Sequence, residues 1–150
     1  MRIRVATFAF SLCLAACTGA PAPAPGDGAG HPPVPVGEEF TLAVGDSARI
    51  GETDLVILFD AVAEDSRCAT NVTCVWEGNA RARFTVREYS AMSQRTVEVL
   101  DDAFELNTSG RFTQRRRTPV GDLVLRHIDP QPPIDDPAKY IAVLIIEPKT

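Results

Sequence analysis

Apolar positions in this chain recur mostly at every second residue, and they do so only beyond position 37. Phe40, Leu42 and Val44 alternate with Glu39, Thr41 and Ala43, and Gly45-Asp46 closes the run as a turn. That spacing predicts a strand over 40–44. Over 55–62, Leu55, Ile57 and Phe59 point one way while Val56, Leu58 and Val62 make the other face apolar too, predicting a strand covered on both sides. Ala80, Ala82, Phe84 and Val86 alternate with Arg81, Arg83, Thr85 and Arg87, as in a half-exposed strand. A partner is expected over 95–100, a shorter piece around Phe104 and Leu106, and two late strands over 120–128 and 140–146. The last of these is apolar throughout and is expected to sit centrally in its sheet. No stretch of about ten residues repeats with helical spacing. Short strands separated by turns predict an all-β fold, an antiparallel β-sandwich of the immunoglobulin-like kind, with a small closed β-barrel as the alternative. Residues 38–150 are expected to form one domain, large enough to bury its own core. Pro130, Pro132, Pro133 and Pro137 crowd the link before the final strand, where no ladder donors are required.

Ahead of this domain the composition changes. Pro21-Ala22-Pro23-Ala24-Pro25, Gly26-Asp27-Gly28-Ala29-Gly30 and His31-Pro32-Pro33-Val34-Pro35 follow one another. Such a segment has too little apolar side chain to offset its ordering entropy, so 17–37 reads as a disordered tether. Its mixture of polyproline and glycine gives a reach of roughly 30–60 Å. Earlier still, Arg2 and Arg4 precede an apolar run over 5–14 that is short for a membrane span, and Leu14-Ala15-Ala16-Cys17 ends it. That order resembles the lipobox of bacterial lipoproteins. The resemblance implies that 1–16 is a signal peptide and that Cys17 becomes the acylated first residue of the mature chain, held to the membrane by lipid. Two or more acyl chains, at about 0.8 kcal/mol per buried methylene, anchor stably where one is marginal. Thr18, rather than Asp, after the anchor implies the outer membrane, facing the periplasm, if the cell is Gram-negative. Excising two arginines and no acids takes the formal net charge from −5 to −7. An acidic body argues against nucleic acid and anionic headgroups as partners.

With Cys13 removed and Cys17 assigned to lipid, Cys68 and Cys74 are left as a pair in an oxidising compartment, and a disulfide is expected. Closing so small a loop stabilises by roughly 2–2.5 kcal/mol on the chain-entropy estimate. The rival, a zinc site, has two thiols and no nearby histidine where four ligands are wanted. Glu64-Asp65-Ser66-Arg67-Cys68, continuing to Cys74-Val75-Trp76-Glu77-Gly78-Asn79, is similar to a family of uncharacterised bacterial lipoproteins and secreted proteins marked by a DSRC…CxWxG segment. This chain departs from that family at Ala69 and Glu77, where members often carry proline and a small residue. The resemblance implies an address and a fold, and no activity. In a structural role, Trp76 would pack on the disulfide or cap the core, Arg67 would pair with Asp65 or Glu77, and Gly78 would permit the turn into the next strand. In a functional role, the stapled loop would present Arg67, Trp76 and Glu77 to a partner, because a fixed loop loses less entropy on binding.

Catalytic chemistry is sparse. Ser66, His127 and an aspartate can be written as a triad, but nothing in the sequence brings them together. Asp129, Asp135 and Asp136 could offer oxygens to Ca²⁺, without the spacing of an EF-hand loop. Arg115-Arg116-Arg117 reads as a solvated loop or a charged sheet edge, or else as a contact for anionic headgroups. Phosphate loops are missing, and neither a cofactor nor a metal is expected. The sequence therefore reads as a non-enzymatic, membrane-anchored envelope interaction or structural module with an envelope protein as partner. The alternative is a ligand-binding or inhibitor protein that uses the Cys68–Cys74 loop.

Overall fold

The structure, a computed structural model, describes residues 33–92 and 96–149. The expected signal peptide, Cys17 and the tether as far as Pro32 lie outside the described residues. The strands are β1 (Glu39–Ala43), β2 (Ser47–Arg49), β3 (Leu55–Asp65), β4 (Ala80–Met92), β5 (Thr96–Asn107), β6 (Arg115–Arg117), β7 (Gly121–Asp129) and β8 (Ile141–Pro148). A single 3₁₀ turn, Pro137–Lys139, precedes β8 and is capped by the Asp136 carboxylate, which accepts from the Ala138 N–H. No helix among the described residues is long and apolar enough to cross a membrane.

The domain is an all-β antiparallel sandwich. One sheet has the order β1-β8-β7-β6 and the other β2-β3-β4-β5. Among the described residues β1 does not pair with β2, nor β5 with β6, so the sheets stay open and do not close into a barrel. The second sheet is a meander of sequential strands, whereas in the first β1 joins β8, from the far end of the chain, beside the sequential run β8-β7-β6; the likeness to an immunoglobulin domain lies in the packing of two sheets. Alternation places Leu42, Leu123, Leu125, Ala142, Leu144 and Ile146 on the inner face of the first sheet. They meet Ile57, Phe59, Ala82, Phe84 and Leu106 from the second. As its composition requires, β8 lies in the interior of its sheet, between β1 and β7.

Strict alternation breaks at three places. A bulge between Phe59 and Ala61 flips the parity of β3, so Val62 comes opposite Ala82 and packs against the core instead of facing outward. A second bulge between Val62 and Glu64 restores parity, and Asp65 arrives opposite Ala80 on the inner side. On β7 a third, between Leu125 and His127, leaves Arg126 and His127 both outside while Ile128 stays in the core. The pieces expected at 95–100 and near Phe104 are one continuous strand, because Asp101 and Asp102 interrupt the hydrophobic run but not the backbone ladder to β4.

β2 and β6 have only three residues each and no apolar alternation to announce them. β6 bears out the edge-strand expectation for the arginine run: among the described residues it pairs with β7 alone, and Arg115 and Arg116 are tied to Asp122 and Asp102. Residues ahead of the expected start at 38 also bond to the sandwich. Val34 donates to the Arg49 carbonyl (2.9 Å) and accepts from the Gly51 N–H (2.8 Å), while the Gly37 N–H donates to the Ile146 carbonyl (2.8 Å). The folded chain thus includes 33–37, because Val34 has an apolar seam to enter. That seam lies at the end where β2 stops and β3 starts. At the opposite end three connections gather: 66–79, 108–114 and 130–140.

Candidate functional site

The three connections are bound to one another through polar groups. Arg67 is the centre. Its Nε and Nη2 bind Asp65 Oδ1 and Oδ2 at 2.9 and 2.6 Å, and its Nη2 also donates to the Pro130 carbonyl at 2.9 Å. Nη1 donates to the carbonyl of Ile128. The Tyr140 hydroxyl completes the set by donating to Asp65 Oδ2 at 3.0 Å, with its ring 6.0 Å from the guanidinium. Only 6% of the Arg67 side chain and 8% of that of Asp65 are exposed. Burial pushes the Asp65 carboxyl up, but the hydrogen bonds and charge of Arg67 outweigh it and hold the group below its ordinary value. Burial and then the bond to Asp65 push the Tyr140 hydroxyl up.

The sequence allows Arg67 to pair with Asp65 or Glu77, or to face a partner; the structure pairs it with Asp65 and removes it from the accessible surface. A fork-shaped cation is needed here because one side chain must satisfy a carboxylate and two carbonyls, one near the end of β7 and one in the connection after it.

The neighbouring contacts extend the same network. Asn79 Nδ2 donates to Asn107 Oδ1 (2.8 Å), and its own Oδ1 accepts from the Ser109 N–H (3.1 Å). Thr70 N–H donates to the Pro132 carbonyl (3.1 Å), and Cys68 N–H donates to the Glu77 carbonyl (3.1 Å). Gly78 has φ +76°, and a Cβ there would stand 2.0 Å from the Ser66 carbonyl oxygen, so no other residue fits without moving the loop. The disulfide is present, Cys68 to Cys74, with Cα atoms 5.9 Å apart. Replacing both cysteines by alanine is expected to lower stability by about 2 kcal/mol. A urea titration with and without reductant checks this: the reduced native protein should match the double variant.

On this clamped frame the apolar side chains face outward. Trp76 is 48% exposed, so it does not cap the core, and Val72 and Val75 beside it are also open to solvent. Phe112, on the adjoining 108–114 connection, is exposed too. Glu77 lies at the surface, where its Oε1 accepts from Ser109 Oγ at 3.4 Å.

A cleft of about 190 Å³ opens between these loops, lined in part by Glu77, Ser109, Arg126 and His127. The side-chain contacts around it do not assemble a triad. Ser109 Oγ turns to Glu77, and His127 Nε2 faces Asp129 Oδ2 at 3.2 Å in an exposed pair. Ser66 Oγ donates to the Asn79 carbonyl (3.0 Å). No group of three or more His, Cys, Asp or Glu side chains among the described residues is placed to hold a metal ion. Of the three acids considered for calcium, Asp129 meets His127 and Asp136 caps the 3₁₀ turn. Comparisons of the chain with protein-family models, characterised proteins and solved structures found no match.

Asp65, Asn79 and Tyr140 are the positioning residues that sequence reasoning passes over or names only in part. A signal exists for Asp65, two positions before Arg67. For Tyr140, 75 residues away from Asp65, there is none.

Proposed function

We propose that the protein is a bacterial lipoprotein of the cell envelope, acylated at Cys17, whose β-sandwich works as a non-enzymatic interaction module. The Cys68–Cys74 loop is its contact surface, with Trp76, Val72 and Val75 at the front and Glu77 at the rim. One observation carries this reading. A loop fixed by a disulfide, a buried ion pair and hydrogen bonds to two other loops nevertheless turns its large apolar side chains to solvent. A loop needed only as a connection would bury them; prearranged apolar groups lower the ordering cost of an encounter. Arg67 contributes indirectly, by holding the loop's base. The Leu14-Ala15-Ala16-Cys17 sequence and the proline-rich segment after it supply the anchor and the spacer.

The test uses the full chain in cells. A photo-crosslinking amino acid at position 72 should give adducts, whereas one at the exposed Glu88 position should not. Adducts at 72 should also fall when Cys68 and Cys74 are both replaced by alanine. No adducts at 72, or equal yields at both positions, would overturn the contact-surface reading. In the same cells, Cys17→Ala should move the chain out of the membrane fraction.

A further inference from the structure

We propose that the stapled end of the sandwich dips into the surface of a zwitterionic phospholipid bilayer, with Val72, Val75, Trp76 and Phe112 entering the boundary between headgroups and acyl chains. The proposal rests on the contact-surface reading and names what that surface meets.

Distribution is the first argument. Among the residues whose side chains are described, which leave out 89–101, six large hydrophobic side chains are exposed, and four of them lie on the two adjoining loops 66–79 and 108–114. Val75 is fully exposed, and Val72 and Phe112 are each more than half exposed. These are projecting tips. Most of the side chains lining the recess beside them are polar, Glu77, Thr108, Ser109, Arg126 and His127 among them, with Ile128 the apolar exception, where a receptor groove for an apolar ligand would be mostly greasy. A spike that packs on nothing in its own protein needs a matching pocket in a protein partner, but needs none in a fluid bilayer.

Hydrogen bonding points the same way. A protein interface carries roughly one direct hydrogen bond per 100–200 Å². Here several polar groups of the loops are turned on each other: Asn79 to Asn107 and Ser109, Glu77 to Ser109, Gln114 Nε2 to the Thr108 carbonyl. Thr70, Asn71, Thr73, Glu77 and Arg111 stay at the surface beside the apolar tips, a mixture that suits the headgroup layer, as the indole suits the membrane interface. The negative net charge directs the choice toward zwitterionic lipid rather than anionic.

Reach allows it. The composition read for 17–33, polyproline with glycine, corresponds to a reach of roughly 30–60 Å before Val34. Val34 is held at the opposite end of the sandwich, roughly 26 Å away for an eight-residue strand like β8. The loops can therefore touch the leaflet that holds the acyl chains. Tethering raises the effective concentration to about the millimolar range, so even weak insertion is populated.

Trp76 is the only tryptophan in the chain and reads the insertion directly. The acylated full-length protein is reconstituted into phosphatidylcholine vesicles, some with brominated acyl chains. The expected result is quenching of Trp76 by the brominated lipid and protection from aqueous iodide. Val75→Asp and Phe112→Asp should each lower the ratio of inserted to withdrawn loop about tenfold, whereas Val36→Asp, exposed at the other end, should leave it unchanged. All three positions are on the surface, and a thermal melt confirms that the fold is kept. Trp76 left open to iodide and unquenched by lipid would overturn the proposal, as would protection from iodide without lipid quenching, which would mean that protein covers the loop. Either result, together with position-72 adducts to an envelope protein, would leave the contact-surface reading standing.

Discussion

Replacing Arg67 by alanine is expected to cost the domain about 3–5 kcal/mol, because it strands the Asp65 carboxylate in a buried site and leaves the Ile128 and Pro130 carbonyls without their donor. Chemical denaturation at neutral pH measures the loss. Arg67→Lys should recover only part of it, since an ammonium cannot reach a carboxylate and two carbonyls with one planar fork. Replacing the pair together, Asp65→Asn with Arg67→Met, should cost less than the single change, because no buried charge is left alone. A loss below about 1 kcal/mol for Arg67→Ala would show that water enters and takes over the site.

The same network sets a pH window. The carboxyl of Asp65 is held below its ordinary value in the folded state, so its contribution is present above the unfolded value, about 4, and is lost as pH falls through the folded one. Tyr140 works in the opposite sense. Its hydroxyl is raised, so its contribution is complete below about 10 and disappears as pH rises further. Stability measured from pH 2 to 11 should lose its acid slope in the double Asp65→Asn/Arg67→Met variant and its alkaline slope in Tyr140→Phe, to the extent of these groups' shares.

Phe84→Ala should be comparably damaging, at about 3–5 kcal/mol. Phe84 is fully buried on the inner face of β4, stacked 5.0 Å from Phe59 and 6.0 Å from Phe104. Its removal takes the middle ring from a stack that spans three adjacent strands. Phe84→Leu, which keeps more of the volume, should cost about 1 kcal/mol. Urea midpoints of the two variants separate cavity from shape: equal losses would mean that ring stacking, not filled space, is what the site needs.

Much of this molecule is readable as a string. Period-two patterning locates the longer strands, because a sheet with one face buried has no other way to place Phe40, Leu42, Phe84 or Leu144. It fails where the pattern is not periodic. Alternation sends Val62 to the wrong face because a bulge adds one residue without any mark in composition. β2 and β6 escape it because three residues held by a neighbour's edge need no apolar signal of their own. Val34 reads as one of the prolines around it, although one valine with a seam to enter is enough to fix the chain. The disulfide follows from counting thiols. Whether Arg67 faces in or out does not follow, since the carbonyls it binds come from the end of β7 and the connection after it, 61 and 63 residues later, and only the folded chain brings them near.

The entry of the chain into the sandwich has a mechanical consequence. Val34 is hydrogen-bonded to the end of β2 in one sheet, and Gly37 to Ile146 of β8 in the other. Tension drawn along the preceding segment falls first on Val34 and its links to β2. Only when these give does the pull reach Gly37 and begin to peel β1 from β8, so that unravelling must defeat both layers in turn.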